Sequence, residues 1–520
     1  NMNINYQPPT VKKSNVTSMD STNSLHTTTN QTENPELKTP ENDLTQKISA
    51  EDILHGEKQH IEDTESLKPA APINNESEIK YDDSFILAIK EKKYDHALEI
   101  LKNNNVNLNF PDEFKNTGLI TLLMLVIAKG KGILEIPRDP NVDINLQDKS
   151  GHTLLMLAIN GGNKDIALEI LKYPNVDINL QDQNGTTALM WAIIKGHKDI
   201  ALEILKRKDV NINLQAKNSH TALIMAIIGG EKTIAFKILD MLMRDSESGM
   251  HTSAVKPINH QDYDVNTALL WAIDKGQEDI ALKILKDPNV DINFQNKDGY
   301  TALIGAILKG QTDIALEILK HKYINVNVQD KGRNTALLWA INKNQKDLAL
   351  EILEKENLNI NIQDKDGITV LMRASFIKGQ SQIVSKILKR DDVKVNLQDN
   401  EGHTALMGAN YDSGLEILKR DDVKVNLQNN NGVTALMMSI NAGTDKKTEE
   451  ILKNKYVDVN LQNKHKQTAL MVALINSNNN IALTILEKDD LKINLQNEHK
   501  QTALIFAIDR GNKGIAKNIL

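Results

Sequence analysis

The three tryptophans of this 520-residue chain, Trp191, Trp271 and Trp339, each have a lysine four residues further on: Lys195, Lys275 and Lys343. On a helix that spacing puts both side chains on one face, so each ammonium can lie over its indole. The chemistry on offer is recognition. A large ring with a polar edge and a cation beside it is a frequent energetic anchor at protein interfaces. Packing is the competing reading, with rings filling gaps between helices and lysines lying over them as solvated lids. Leu157, Met225, Val472 and Phe506 occupy the equivalent place and favour packing, whereas Gly305, Arg373 and Gly408 occupy it too and do not suit a strict core.

Bond-making chemistry has no comparable constellation. The chain holds no cysteine, which excludes thiolate nucleophiles, thiolate metal sites and disulfides. It has neither a phosphate-cradling Gly-rich loop ending in Lys-Ser/Thr nor a His-Glu-x-x-His pair. His152, His197, His220 and His403 lack a second ligand at helical spacing, so turn-packing or solvated roles are expected rather than metal binding. His465 and His499 stand in matching Lys-His-Lys-Gln-Thr and Glu-His-Lys-Gln-Thr stretches and read as turn residues. No catalytic residue, cofactor or metal is expected.

Positions can be called equivalent because the chain repeats itself. A threonine opens each copy, at Thr121, Thr153, Thr187, Thr221, Thr267, Thr301, Thr335, Thr369, Thr404, Thr434, Thr468 and Thr502, with most steps equal to 34 residues. A weaker copy opens near Asp83, giving about thirteen units, and a fixed period of this size implies a stacked solenoid. Within a unit, Thr187 suits a helix N-cap. Leu189, Ala192 and Ile193 form the stripe of a short inner helix, and small Ala192 lets the next unit approach closely. Gly196 suits the stop, and Asp199 opens a second helix with the stripe Ile200, Ala201, Ile204 and Leu205. Val210-Asn211-Ile212-Asn213-Leu214-Gln215 alternates apolar and polar residues and reads as an extended finger. A polar turn such as Asp182-Gln183-Asn184-Gly185 leads on. The unit at Thr221 carries twelve extra residues, predicted as a loop between Asp240 and Lys256, and the unit at Thr404 is four residues short, predicting a clipped inner helix.

Residues 1–80 hold 7 Lys against 13 Asp and Glu, so this acidic, polar segment carries most of the net charge of −7. It cannot bury enough apolar area to offset its chain entropy, and disorder is expected, with Ser49 and Asp52 as the caps of one short transient helix. The repeats at 81–520 are close to neutral, which argues against nucleic-acid binding. No run of 18 apolar residues occurs, so no membrane span is expected. The final unit stops at Ile519-Leu520, inside an apolar stripe, the pattern of an incomplete unit.

The unit resembles the ankyrin repeat. Asp182, Gly185, Thr187, Leu189, Ala192, Gly196, Ile204-Leu205 and Val210 with Asn213 carry the resemblance, which recurs along residues 83–520. It implies an all-α solenoid with an antiparallel helix pair and a projecting finger per unit. It departs from the family in replacing the usual Thr-Pro-Leu-His by Thr-Ala-Leu and an apolar residue, as at Met190, Ile224 and Leu338, so hydrophobic packing is expected where the family uses a Thr–His hydrogen bond. The resemblance implies a non-catalytic scaffold, monomeric and cytoplasmic, that binds a protein partner. Trp191, Lys195, Trp271, Lys275, Trp339 and Lys343 are its candidate contact residues. The Asn-, Lys- and Ile-heavy composition suits a host-directed effector acting in a host cytosol. The alternative is that the repeats target an enzyme domain lying beyond this chain. A second candidate surface is the row of finger-turn acids Asp148, Asp182, Asp330, Asp364 and Asp399, followed by Asn429, Asn463 and Asn497. Asp and Asn serve alike in an Asx turn, and the rival reading is an acidic patch that selects a basic partner.

Overall fold

The computed structural model describes residues 144–247 and 256–520, together with Leu87, Ala88, Lys93, His96, Glu99 and Ile100. The acidic segment 1–80 with its Ser49 cap, the opening of the unit at Thr121, and Ser248, Gly249 and Ser253 lie outside the described residues. The chain divides into two compact units, one ending at Asp291 and one running from Ile292. Among the described residues all regular structure is helical apart from three isolated bridges.

In the first unit the inner helices are Leu154–Asn160, Ala188–Ile194, Ala222–Ile228 and Ala268–Asp274. Their outer partners are Lys164–Ile170, Lys198–Ile204, Lys232–Glu247 and Glu278–Ile284. In the second unit the inner helices are Ala302–Lys309, Ala336–Asn342, Val370–Phe376, Ala405–Gly408, Ala435–Asn441, Ala469–Ile475 and Ala503–Asp509. The outer ones are Thr312–Leu319, Lys346–Leu353, Ser381–Leu388, Tyr411–Leu418, Asp445–Lys453, Asn479–Leu486 and Lys513–Ile519. Within each compact unit an inner helix packs on its own outer helix and on the next inner helix. The expected stripe makes this core: Leu189, Ala192, Ile200, Ala201, Ile204 and Leu205 are all buried. Helices of about seven residues are too short to persist alone in water, so this packing holds them.

Each inner helix begins at its threonine. The Thr335 hydroxyl accepts from the Leu338 amide at 3.3 Å, and the same bond recurs from Thr153 to Thr468. Thr502 alone among these caps lacks it. Thr335→Ala is therefore expected to cost about 1 kcal/mol, read from hydrogen exchange of the Ala336–Asn342 amides, and Thr502→Ala a small fraction of that. Equal losses at both sites would contradict the capping account. The apolar residue that follows is more than packing at two units. The backbone N–H of Thr187 donates to Met190 Sδ at 3.5 Å, and that of Thr369 to Met372 Sδ at 3.4 Å. The thioether thus takes over part of the reciprocal cap expected to be lost with histidine.

The fingers expected to be extended are not so throughout. The chain turns at Ile212-Asn213, and neighbouring fingers are tied mainly by side chains. Asn179 Oδ1 accepts from the Asn211 amide while its Nδ2 donates to the Asp209 carbonyl, both at 2.7 Å. Gln181 Nε2 donates to the Gly185 carbonyl at 2.6 Å and to the Gln215 carbonyl at 2.9 Å. Asn327 and Gln363 repeat these bonds in the second compact unit. Gly185 has φ +72°, and a Cβ there would sit 3.0 Å from the Ala216 backbone of the next finger, so both conformation and space require glycine.

Both breaks in the period have structural consequences. The insertion predicted as a loop from Asp240 begins as helix, because the outer helix continues to Glu247. Its Leu242 remains buried, which extends the apolar stripe past the point where the other units stop. The clipped inner helix is as expected, Ala405–Gly408, a single turn. Asn410 then caps the following helix by accepting from the Ser413 amide at 3.0 Å.

Candidate functional site

The three indoles share one local geometry. Trp191 Nε1 donates to Asp182 Oδ2 at 3.0 Å, Trp271 Nε1 to Asp262 Oδ2 at 2.7 Å, and Trp339 Nε1 to Asp330 Oδ2 at 2.8 Å. Each acceptor lies nine residues before its tryptophan, in the finger turn that leads into the inner helix. The other carboxylate oxygen builds that turn: Asp182 Oδ1 accepts from the amides of Asn184 and Thr186, both at 2.8 Å. One aspartate therefore ties the turn to itself and to the helix. Trp191 and Trp271 are 8 % and 4 % exposed, and Trp339 is half-buried.

A residue of the preceding finger completes two of these clasps. The His152 and Trp191 rings meet edge-on with centroids 5.7 Å apart, and those of His220 and Trp271 likewise at 6.4 Å. His220 Nε2 stands 3.5 Å from Asp262 Oδ2. Burial raises the Asp262 carboxyl, but hydrogen bonds from His220, the Asn266 amide and Trp271 outweigh it and leave its pKa below the usual carboxylate range. A lowered folded-state pKa contributes stability that is present above the unfolded value and is lost as pH falls through the folded one. Beside Asp330 the preceding finger offers buried Tyr300, whose hydroxyl is pushed up to about 12 by burial and by the charges of Asp330 and Asp298.

The predicted lysines join two of the three sites. Lys195 Nζ lies 5.5 Å from the Trp191 ring and Lys275 Nζ 5.7 Å from the Trp271 ring. Among the described residues Lys343 makes no such contact with Trp339. All three lysines directly follow their inner helices and are partly exposed.

The remaining residues of the slot explain the variation in the turn. Arg373 takes the place of tryptophan, with a terminal guanidinium nitrogen 3.7 Å from Asp364 Oδ2 and its Nε unpartnered. Burial raises the Asp364 carboxyl and lowers the Arg373 guanidinium, so this pair is held at a cost. Gly408 leaves a cleft bounded by Met372, Arg373, Phe376 and His403, with about 10 Å³ of space, room for one water. At apolar Leu157 the turn residue is Asp148, whose Oδ2 meets His152 Nδ1 at 3.1 Å, and at Met225 it is Ala216, whereas at apolar Met438, Val472 and Phe506 it is asparagine. The Nδ2 of Asn463 and of Asn497 then donates to Gln467 and Gln501 at 3.0 and 3.1 Å, and the Nδ2 of Asn429 faces His403 Nε2 at 3.1 Å. Asp and Asn build the turn alike, as expected. Their second atom is chosen to suit a neighbouring donor or acceptor. Burial argues against the acidic-patch reading: Asp182, Asp330 and Asp364 are 4–6 % exposed, and the partly exposed Asp148 and Asp399 turn a carboxylate oxygen to His152 and His403.

The tryptophans stood out in the sequence, but the aspartates that hold them did not. A partial signal was present: Trp191, Trp271, Trp339 and Arg373 each have Asp nine residues earlier and Met438, Val472 and Phe506 have Asn, but Leu157 also has Asp, at Asp148, and Met225 has Ala216. The histidines divide as turn residues, with His465 Nδ1 2.9 Å from Glu498 Oε1 and His499 Nε2 3.5 Å from the same oxygen. Among the described residues no group of three His, Asp or Glu could hold a metal ion, and no helix is long and apolar enough to cross a membrane.

The family model for ankyrin repeats matches residues 85–216, 281–364, 337–426, 409–497 and 448–520. Two solved structures are similar in fold. One is an ankyrin repeat protein, EF0377, 24 % identical over 41 % of this chain and all of that one, with a TM-score of 0.33. The other is the ankyrin repeat domain of Bcl-3, of the IkappaB protein family, 20 % identical over 46 % of this chain and all of that one, with a TM-score of 0.36. No curated protein matches the chain significantly.

Proposed function

The chain belongs to the ankyrin-repeat family, whose repeats are generally protein–protein interaction modules, and on that premise we propose that it is a non-catalytic scaffold whose protein partner is contacted at Trp191 and Lys195, Trp271 and Lys275, and Trp339 and Lys343. The observation that carries this reading is the recurrence of one carboxylate-held indole in three units. A ring fixed by its own turn loses little entropy on contact, which is the property of a pre-organised anchor. The indoles offer a rim rather than a face, since two of them are nearly covered, and the lysines supply the exposed part. The partner surface that suits this is acidic. The Asn-, Lys- and Ile-heavy composition suits a host-directed effector, which concerns where such a scaffold works and not how it binds.

The test uses the lysines, because replacing the tryptophans would disturb folding. The intact chain is used to capture and identify a partner. The triple variant Lys195→Glu, Lys275→Glu, Lys343→Glu is then compared by calorimetry and circular dichroism. Loss of at least about tenfold in affinity, roughly 1.4 kcal/mol, with an unchanged melting curve is expected. Equal binding by both chains removes the lysines from the site, and failure of the intact chain to retain any protein removes the scaffold reading.

A further inference from the structure

A lysine occupies a core position of the repeat. Thirteen residues after the opening threonine stand Ile200, Ile280, Ile314, Leu348 and Ile481, each at most 1 % exposed. In the unit opening at Thr434 the same place holds Lys447, which is 3 % exposed. The unit stacked before it is the clipped one, and the two departures account for each other. In a complete unit the turn after the inner helix donates back to it, as Ala442 N does to the Met438 carbonyl and Thr444 N to the Ser439 carbonyl. The four-residue deletion removes that turn after Ala405–Gly408. Lys447 supplies donors instead: its Nζ is 2.7 Å from the Ala409 carbonyl and 3.4 Å from the Met407 carbonyl. Its stem runs along Gly414, where a Cβ would stand 3.3 Å from Lys447 Cδ and Cε. Gly414 falls where most other outer helices carry alanine and the two flanking ones carry Val384 and Thr448, so the path for the lysine is itself a local departure.

We propose that Lys447 is a proton-controlled latch between the unit opening at Thr404 and the unit opening at Thr434: the neutral amine locks them together and its protonation loosens them. A charge in this place has only carbonyls for company. The single-turn helix whose end it caps adds little dipole, and among the described residues no carboxylate pairs with it. The elements packed against Asp445–Lys453 are sparing in charge. Ala435–Asn441, Asn479–Leu486 and Ala405–Gly408 have no titratable side chain, and Tyr411–Leu418 carries Tyr411, Asp412 and Glu416. Its own helix carries Asp445, Lys446, Glu449, Glu450 and Lys453. Burial is the cause that pushes Lys447 down to about 7. The sign follows from linkage. Between about 7 and the ordinary lysine range the opened state binds the proton that the closed state has lost, so the joint tightens as pH rises and weakens as pH falls toward 7.

Hydrogen exchange on the full chain tests this, corrected for the intrinsic pH dependence of exchange. For one proton taken up on opening, the opening constant of the Tyr411–Leu418 and Asp445–Lys453 amides should fall by up to about tenfold per pH unit above 7. The Ala302–Lys309 amides serve as the control. Lys447→Met should abolish that slope, which also separates it from His403, a titratable neighbour just before Thr404. A slope absent from the wild type, or one that survives in Lys447→Met, overturns the latch. If the variant does not fold, lysine-selective carbon-13 labelling of the wild type still decides. One lysine titrating near 7 supports the proposal, and every lysine titrating in the ordinary range overturns it.

Discussion

Asp262→Asn is expected to destabilise its unit by about 3 kcal/mol, an unusually large cost for exchanging one oxygen for one nitrogen. The turn itself should survive. Asp262 Oδ1 accepts from the amides of Asp264 and Asn266 at 2.9 and 2.8 Å, and asparagine does the same work at Asn429 through the amides of Asn431 and Val433. The loss falls on the second atom. Oδ2 receives Trp271 Nε1 at 2.7 Å with His220 Nε2 at 3.5 Å, and an amide nitrogen there would set a donor against a buried donor. A hydrogen bond to a charged group is lost, about 1.5–3 kcal/mol, and the indole N–H is left buried without an acceptor, about 1–3 kcal/mol more. A second substitution should rescue this loss. In a Trp271→Met background the opposing donor is gone, and asparagine can face His220 as Asn429 faces His403. Asp262→Asn should then cost less than about 1 kcal/mol, a coupling that a double-mutant cycle from urea midpoints would read directly. Equal costs in the two backgrounds would show that the clasp is not what selects aspartate.

This coupling marks where sequence reading ran out. The 34-residue period and its helical stripes were visible because burial at every unit demands the same apolar residues at Leu189, Ala192 and Ile204. The threonine caps were visible for the same reason, since each short helix needs one. What varied was harder to read. Trp191 or Arg373 looked like a free choice because its constraint sits nine residues away, in a turn whose Asp or Asn appeared interchangeable. The finger alternation of Val210 to Gln215 suggested extended chain, but period two says only that alternate residues differ in environment. It does not say that Asn179 and Gln181 hold the neighbouring finger with their side chains. Lys447 was passed over because a lysine in an outer helix normally lies on the solvated face. Only its register, thirteen residues from Thr434, places it in the core.

The Arg373 pair should show the reverse of ordinary conservative logic. Arg373→Met, by itself, is expected to cost about 3 kcal/mol, because among the described residues it removes the one cation close to the buried Asp364 carboxylate. Asp364 is 4 % exposed, and without the guanidinium its charge is met only by the amides of Asp366 and Ile368, each at 2.9 Å. Adding Asp364→Asn to the same chain should recover most of that loss and bring stability level with the wild type or above it. The pair being removed is a poor one, 3.7 Å apart with Arg373 Nε unpartnered, and methionine over asparagine is the combination that Met438 and Asn429 already use. The pH dependence separates the two variants. Burial already raises the Asp364 carboxyl, and loss of Arg373 raises it further. A carboxyl whose folded-state pKa lies above its unfolded one destabilises at neutral pH, and that penalty fades as pH falls through the folded value. The single variant should thus approach the wild type in mild acid, while the double variant keeps pace with it throughout. Thermal melts of the three chains across that range decide the matter. A double variant as unstable at neutral pH as the single one would mean that Arg373 supports the unit by packing its stem and not by answering the charge of Asp364.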